Sequence, residues 1–213
     1  MAVTFTADER LLGKLRSRKD SWLDAGRLER MPLQIGAAPD HDFDEPLGLL
    51  SDCHRRIEHF LDILSETERH AAGAPLTSPQ RGDLEASLRY FAVAAPKHTA
   101  DEEQSLFPRL RAVSDPAVTH ALELLERDHD EAEQLHATVD HLVRQWFAHN
   151  MLDAAEARAL REHLAALRHL YQQHICVEDR DVFPAAARLL SATQIHEVGR
   201  EMAERRMLRT QKG

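Results

Sequence analysis

From residue 46 onward, apolar residues recur at alternating steps of four and three, the rhythm of one face of an α-helix; a half-buried strand would alternate by two. Leu50, His54, Ile57, Leu61 and Leu64 keep this rhythm in a first segment, and Leu84, Leu88, Phe91, Ala95, His98 and Glu102 in a second. Leu122, Leu125, His129, Ala132, His136 and Val139 follow in a third, and Leu160, Leu164, Leu167, Tyr171, His174 and Glu178 in a fourth. Breakers at Ala71 to Pro79, Ser114 to Pro116 and His149 to Asp153 separate them. The predicted helices span 46–70, 80–110, 116–148 and 153–190, with a shorter fifth over 192–209. Pro46 and Pro116 suit first turns, with Asp44 and Asp115 as caps just upstream. Pro96, Pro108 and Pro184 interrupt the pattern and predict kinks or early ends. Short loops make consecutive helices antiparallel, so the pattern predicts an all-α, up-down-up-down four-helix bundle.

Residues 45–190 thus form the bundle, 1–44 an N-terminal arm and 191–213 a C-terminal helix. In the arm, Leu11, Leu12, Leu15, Trp22, Leu23 and Leu28 predict a short helix, and Met31 to Pro39 a wrapping segment rather than a second domain. The C-terminal helix either covers the bundle or mediates pairing, so it and the arm are the places to expect a second copy or a protein partner.

Composition narrows the function. A chain of 213 residues, 43% hydrophobic and 30% charged, has enough apolar surface for a sizeable core. A formal charge of −9 argues against nucleic acid and anionic membranes as partners. No apolar run approaches the ~20 residues that span a bilayer, and Met1 to Arg18 lacks the apolar stretch of a signal peptide, so a cytoplasmic location is expected. Cys53 and Cys176 form no CxxC pair, which removes a thiolate zinc site and a disulfide scaffold. Fourteen histidines are the unusual count.

Their placement follows an internal repeat. His98, Glu102, Phe107 and Pro108 recur as His174, Glu178, Phe183 and Pro184, an HxxxE followed by FP at one fixed spacing. The first and third segments also align, with His54 against His129. The chain therefore reads as two helical hairpins, each supplying one histidine from its first helix and HxxxE from its second. Residues four apart stack on one helix face, so the His and Glu of each HxxxE can reach a common centre. At about 1.5 Å per residue, His54 and His98 lie roughly 24 and 27 Å from their loop, and His129 and His174 about 28 and 31 Å from theirs, one shared depth. His54, His98, Glu102, His129, His174 and Glu178 are the candidate ligands of a two-metal site. Their N and O donors suit iron or manganese better than structural zinc. A single stripe histidine is more often a core or boundary side chain. Two carboxylates on core stripes, however, are costly unless cations compensate them.

Other candidates carry weaker signals. Tyr171, one turn before His174, packs in the core or caps the pocket. Glu58 and Glu133, each four residues after a candidate histidine, are solvated edge residues or extra carboxylates near an open metal position. His136, about 10 Å along the axis from His129, is too far for the same centre. His59, His70, His120, His141, His149, His163, His169 and His196 read as surface residues, His41 as part of the arm, and Arg205-Arg206 as a charged helix end. Cys53 and Cys176 point about 100° away from the neighbouring ligand positions and read as core thiols.

The pattern H…HxxxE…H…HxxxE with both FP dipeptides resembles the hemerythrin-like, HHE cation-binding family over about residues 45–190. The resemblance implies a four-helix bundle around a non-haem di-iron centre, with the six residues above as ligands and Glu102 and Glu178 as carboxylate bridges. Oxygen-carrying members place a second histidine four residues after the third-helix ligand, where this chain has Glu133. The four-histidine set is more similar to a bacterial branch that includes iron–sulfur-cluster repair proteins; that branch usually carries an N-terminal cysteine-containing domain, and this chain has no cysteine before Cys53. What the resemblance implies is an oxo- and carboxylate-bridged pair of irons that binds or reduces O2, NO or H2O2 in oxidative or nitrosative stress. With turnover, this would be a peroxide- or NO-metabolising oxidoreductase. Without it, iron or oxygen occupancy would act as a sensor through the C-terminal helix or the arm.

Overall fold

Three of the four long helical segments start where their free N–H groups find side-chain acceptors. The computed structural model of the chain describes residues 40–207; the arm up to Pro39, including its predicted short helix, lies outside them. Helix α1 runs Pro46–Ala71, α2 Ser78–Val93 and α3 Ala95–Asp101; a π-helical turn, π1, covers Glu102–Leu106, and α4 follows over Phe107–Ala112. Helix α5 spans Pro116–His149 and α6 Ala154–Val177; a second π turn, π2, covers Glu178–Val182, before α7 at Phe183–Leu189 and α8 at Ala192–Met207.

Asp115 caps α5 as expected, and Thr77/Gln80 and Asp153/Glu156 form capping boxes at α2 and α6. Asp44 does not cap α1: Glu45 holds the cap position without a side-chain bond, and the Asp44 N–H instead donates to Asp42 Oδ1 at 2.8 Å. Pro46 in the first turn has no N–H, which lowers the demand for a cap.

Four antiparallel rods close a ring, α1 packing on α2 and α6, and α5 on α6, α2 and α4. The second rod is not one helix over 80–110. It breaks at Ala94, placing Pro96 in the first turn of α3, and it widens at π1. The fourth rod widens in the same place of the repeat, at π2. Each π turn begins at the HxxxE glutamate and closes when the Phe N–H of FP donates to that glutamate's carbonyl, five residues back. A proline ring clashes with the carbonyl four residues before it in a regular helix. The wider turn relieves that clash without ending the rod.

Two apolar clusters fill the bundle. One contains Ile57, Leu61, Leu84, Trp146, Leu160 and Leu167; the other contains Leu50, Phe107, Leu110, Leu122, Leu125 and Phe183. In the first three rods the candidate ligands fall between these two clusters in sequence; in the fourth, Ile175 of the first cluster follows His174 before Glu178. The C-terminal helix completes the second cluster with Val198 and Met202, both fully buried. Gly199 is required where α8 meets the stretch leading into α1, since a Cβ there would collide with the Phe43 carbonyl.

Arg205 and Arg206 are not a solvated helix end. Arg205 Nη1 donates to Asp101 Oδ1 at 2.6 Å and Arg206 Nη2 to Asp101 Oδ2 at 2.7 Å, and Asp101 is fully buried, one residue before Glu102. Arg109 and Ser105 bond Glu201 on the same face. Removing both cations with Arg205→Ala/Arg206→Ala leaves a buried carboxylate uncompensated and should cost about 3 kcal/mol in urea denaturation. Adding Asp101→Asn to that double variant should recover part of the loss, and no recovery would contradict the charge account.

Candidate metal centre

The repeat and the helix geometry bring all six predicted residues into one layer. His54, His98, Glu102 and Glu178 each offer a donor atom within 4.8 Å of the others, and Glu102, His129, His174 and Glu178 do the same. Both groups contain both glutamates. Glu102 Oε1 faces His98 Nε2 at 3.2 Å while its Oε2 faces His129 Nε2 at 3.4 Å. Glu178 Oε2 lies 3.0 Å from His54 Nε2 and 3.1 Å from His174 Nε2. Each carboxylate thus touches histidines of both hairpins.

The FP dipeptides act here too. Phe183 stacks on His54 with ring centroids 5.4 Å apart, and Phe107 lies nearly parallel to His129 at 6.3 Å. Each hairpin's phenylalanine thereby braces the other hairpin's first-helix histidine.

A set of carboxylates not singled out by the pattern orients the imidazoles from outside. His54 Nδ1 bonds Asp179 Oδ1 at 3.0 Å and His129 Nδ1 bonds Glu103 Oε1 at 2.8 Å. The two acids occupy the same repeat position, immediately after each HxxxE glutamate, and that shared acidity was the available signal. His174 Nδ1 bonds Asp128 at 3.4 Å. The residue equivalent to Asp128 in the first hairpin is Cys53, and His98 Nδ1 is buried without a partner. Burial therefore dominates at His98 and lowers its pKa to about 4. At His174 burial is outweighed by Glu178 and Asp128, and its pKa rises to about 10. Burial opposes the charged form of His54 as well, but Asp179, Glu102 and Glu178 hold it well above the ordinary histidine range.

The layer is not satisfied by its own hydrogen bonds. Both oxygens of Glu102 and of Glu178, and Nε2 of His54 and of His129, are buried without well-directed hydrogen-bond partners among the described residues, despite approaches as close as 3.0 Å. Two fully buried carboxylates ringed by imidazole nitrogens at 3.0–3.4 Å are what a bound cation would satisfy. The donor set, nitrogen and oxygen with no thiolate, fits iron or another first-row metal.

Glu133 is exposed and Glu58 half-buried, and neither belongs to the two groups. His59, expected at the surface, is half-buried, with Nε2 unpartnered beside Phe60. His163 is also half-buried and bonds the Ala159 carbonyl. Cys53 is buried and Cys176 half-buried. Tyr171 is buried, and its hydroxyl lies 3.1 Å from His136 Nε2. A cavity of about 560 Å³ borders the layer, reaches all four candidate histidines and continues past Tyr171 and His136 between α2/α3 and α5.

The family model described as Hemerythrin HHE cation binding domain matches residues 45–186. A protein of Haemophilus influenzae described as uncharacterized is 30% identical over 169 residues, covering 78% of this chain and 93% of that one. The orphaned carboxylates predict that metal stabilises the fold. Chelated protein should melt roughly 5–10 °C below protein reloaded anaerobically with ferrous iron, and identical melting temperatures would contradict that expectation.

Proposed function

Because the chain belongs to the hemerythrin HHE cation-binding family, we propose that it holds two irons through His54, His98, Glu102, His129, His174 and Glu178, and that it binds or reduces O2, NO or H2O2 there. The observation that carries this reading is the sharing of both glutamates between two histidine pairs. Bound iron would supply one-electron chemistry at coordination positions that the six side chains leave open. The protein's own part is to hold the imidazoles in register through Asp179, Glu103 and Asp128, and to brace two of them with Phe107 and Phe183. Apolar clusters on either side exclude bulk water, and the cavity gives a small molecule a way to the layer.

A second reading, in which metal occupancy is sensed rather than used for turnover, is favoured by the contact of α8 with the residue beside Glu102. Arg205 and Arg206 grip Asp101, so any shift of π1 on metal release would bear directly on the docking of α8. Multiple turnovers of peroxide or NO per chain would favour the oxidoreductase. A metal-dependent change in protease sensitivity of α8 without turnover would favour the sensor.

His54→Ala, His98→Ala, His129→Ala and His174→Ala should each lower iron from near two per chain, whereas His163→Ala should keep it, as read by elemental analysis. Equal iron in all five variants would sink the assignment.

The two groups are unequally supported. His129 and His174 both have carboxylate partners, while of His54 and His98 only His54 does. A carboxylate on the far ring nitrogen raises an imidazole's donor strength. Anaerobic calorimetric titration with Fe(II) should therefore resolve two steps, roughly 10–100-fold apart in affinity. Asp128→Ala should draw the steps together by weakening the tighter one, and Cys53→Asp by strengthening the other. A single unchanged step in all three proteins would refute the inequality.

A further inference from the structure

The cavity is far larger than the small molecules considered so far require. O2, NO or H2O2 needs room on the scale of one or two waters, about 30 Å³ each. The cavity, which opens to the surface, measures about 560 Å³ including the space beside the six-residue layer, within the range typical of sites for organic ligands. Its middle section is apolar, walled by Leu88, Phe91, Ala132, Val139 and Ile175. The apolar stretch that continues beyond the layer is more than a diatomic molecule or water requires.

Charge narrows the occupant. No lysine or arginine lines the cavity among the described residues, whereas Glu103, Asp130, Glu133 and Asp140 do. Glu103 is engaged by His129, and Asp140 by Arg144 from the outer side. A carboxylate or phosphate entering from the surface would meet acidic side chains and no cation along the way. Among the described residues, the paired polar groups set within the apolar section are the Tyr171 hydroxyl and His136 Nε2, 3.1 Å apart. Phe91 stacks on His136 with ring centroids 4.2 Å apart and holds the imidazole in place. Burial lowers the His136 pKa to about 4, so the ring is neutral at pH 7 and either nitrogen can carry its proton. With Nε2 accepting from the tyrosine, the phenolic oxygen is left to accept; with Nε2 donating, the tyrosine hydroxyl is left to donate. The pair therefore matches a group that does both, which is the hydrogen-bonding character of a hydroxyl or hydroperoxyl.

We propose that this cavity binds an uncharged, mainly aliphatic molecule bearing a hydroxyl or hydroperoxyl group, whose oxygen is held at Tyr171 and whose chain lies against Leu88, Phe91 and Ala132. The inference extends the reading of the layer as an oxygen-species site to organic members of that class, and it rests on that reading only for its biological use.

The test uses full-length protein of measured iron content, with 1-hexanol and hexanoate as probes followed by titration calorimetry. The alcohol should bind, and hexanoate should bind at least tenfold more weakly. Ala132→Phe fills the apolar section and should abolish hexanol binding. Tyr171→Phe keeps the shape and should weaken hexanol by about fivefold, the worth of one neutral hydrogen bond, while leaving the far-ultraviolet dichroism unchanged. No binding of hexanol to the parent protein, binding of hexanoate as tight as hexanol, or unchanged hexanol binding in Ala132→Phe would each overturn the proposal. Hexanol binding to protein that takes up no iron would support the cavity assignment while the di-iron reading failed; iron uptake without hexanol binding would do the reverse.

Discussion

Two carboxylates and four imidazoles stand between two dry cores, and the rest of the structure is arranged around the cost of keeping them there. Glu102 and Glu178 are wholly buried, and none of their oxygens has a geometrically satisfied hydrogen bond among the described residues. An isolated carboxylate in such surroundings costs several kcal/mol, a large share of the net stability of a domain. A cation bound within the layer would offset that cost, and the outer acids at His54, His129 and His174 keep the imidazole nitrogens aimed inward. A metal bound in the layer would therefore add to the stability of the bundle as well as to its chemistry.

The π turns show how the backbone accommodates this demand. Each opens at the glutamate that must face the layer and closes at the phenylalanine that must stack on the opposite hairpin's histidine. The extra residue in the turn advances the helix register, so Leu106, Phe107 and Leu110 return to the second cluster after Glu102 has faced the layer. The following proline has no N–H to lose. One dipeptide thus connects three requirements: a glutamate pointing inward, an aromatic brace, and continuation of the rod.

Much of this was legible in the sequence. The four-three rhythm gave four rods, and the duplicated HxxxE–FP pattern placed six residues at one depth, because both are periodic and local. The π turns were not, since proline predicts a disturbance without saying whether the helix bends, stops or widens. Asp101 with Arg205 and Arg206 was missed because its partners are more than a hundred residues away in the chain and no period relates them. The acids at 103 and 179 lay in plain view in the repeat, but their use depends on which ring nitrogen faces outward, and spacing does not determine that.

The duplicated hairpin has an evolutionary consequence. Two identical hairpins joined as a twofold dimer would be bound by symmetry, so any change at one metal position would appear at the other. Once both halves are written in a single chain, a substitution can fall on one of them alone. Cys53 and Asp128, equivalent positions filled by a thiol and a carboxylic acid, are where this chain has used that freedom. In a single chain, the two halves of the layer can differ one position at a time.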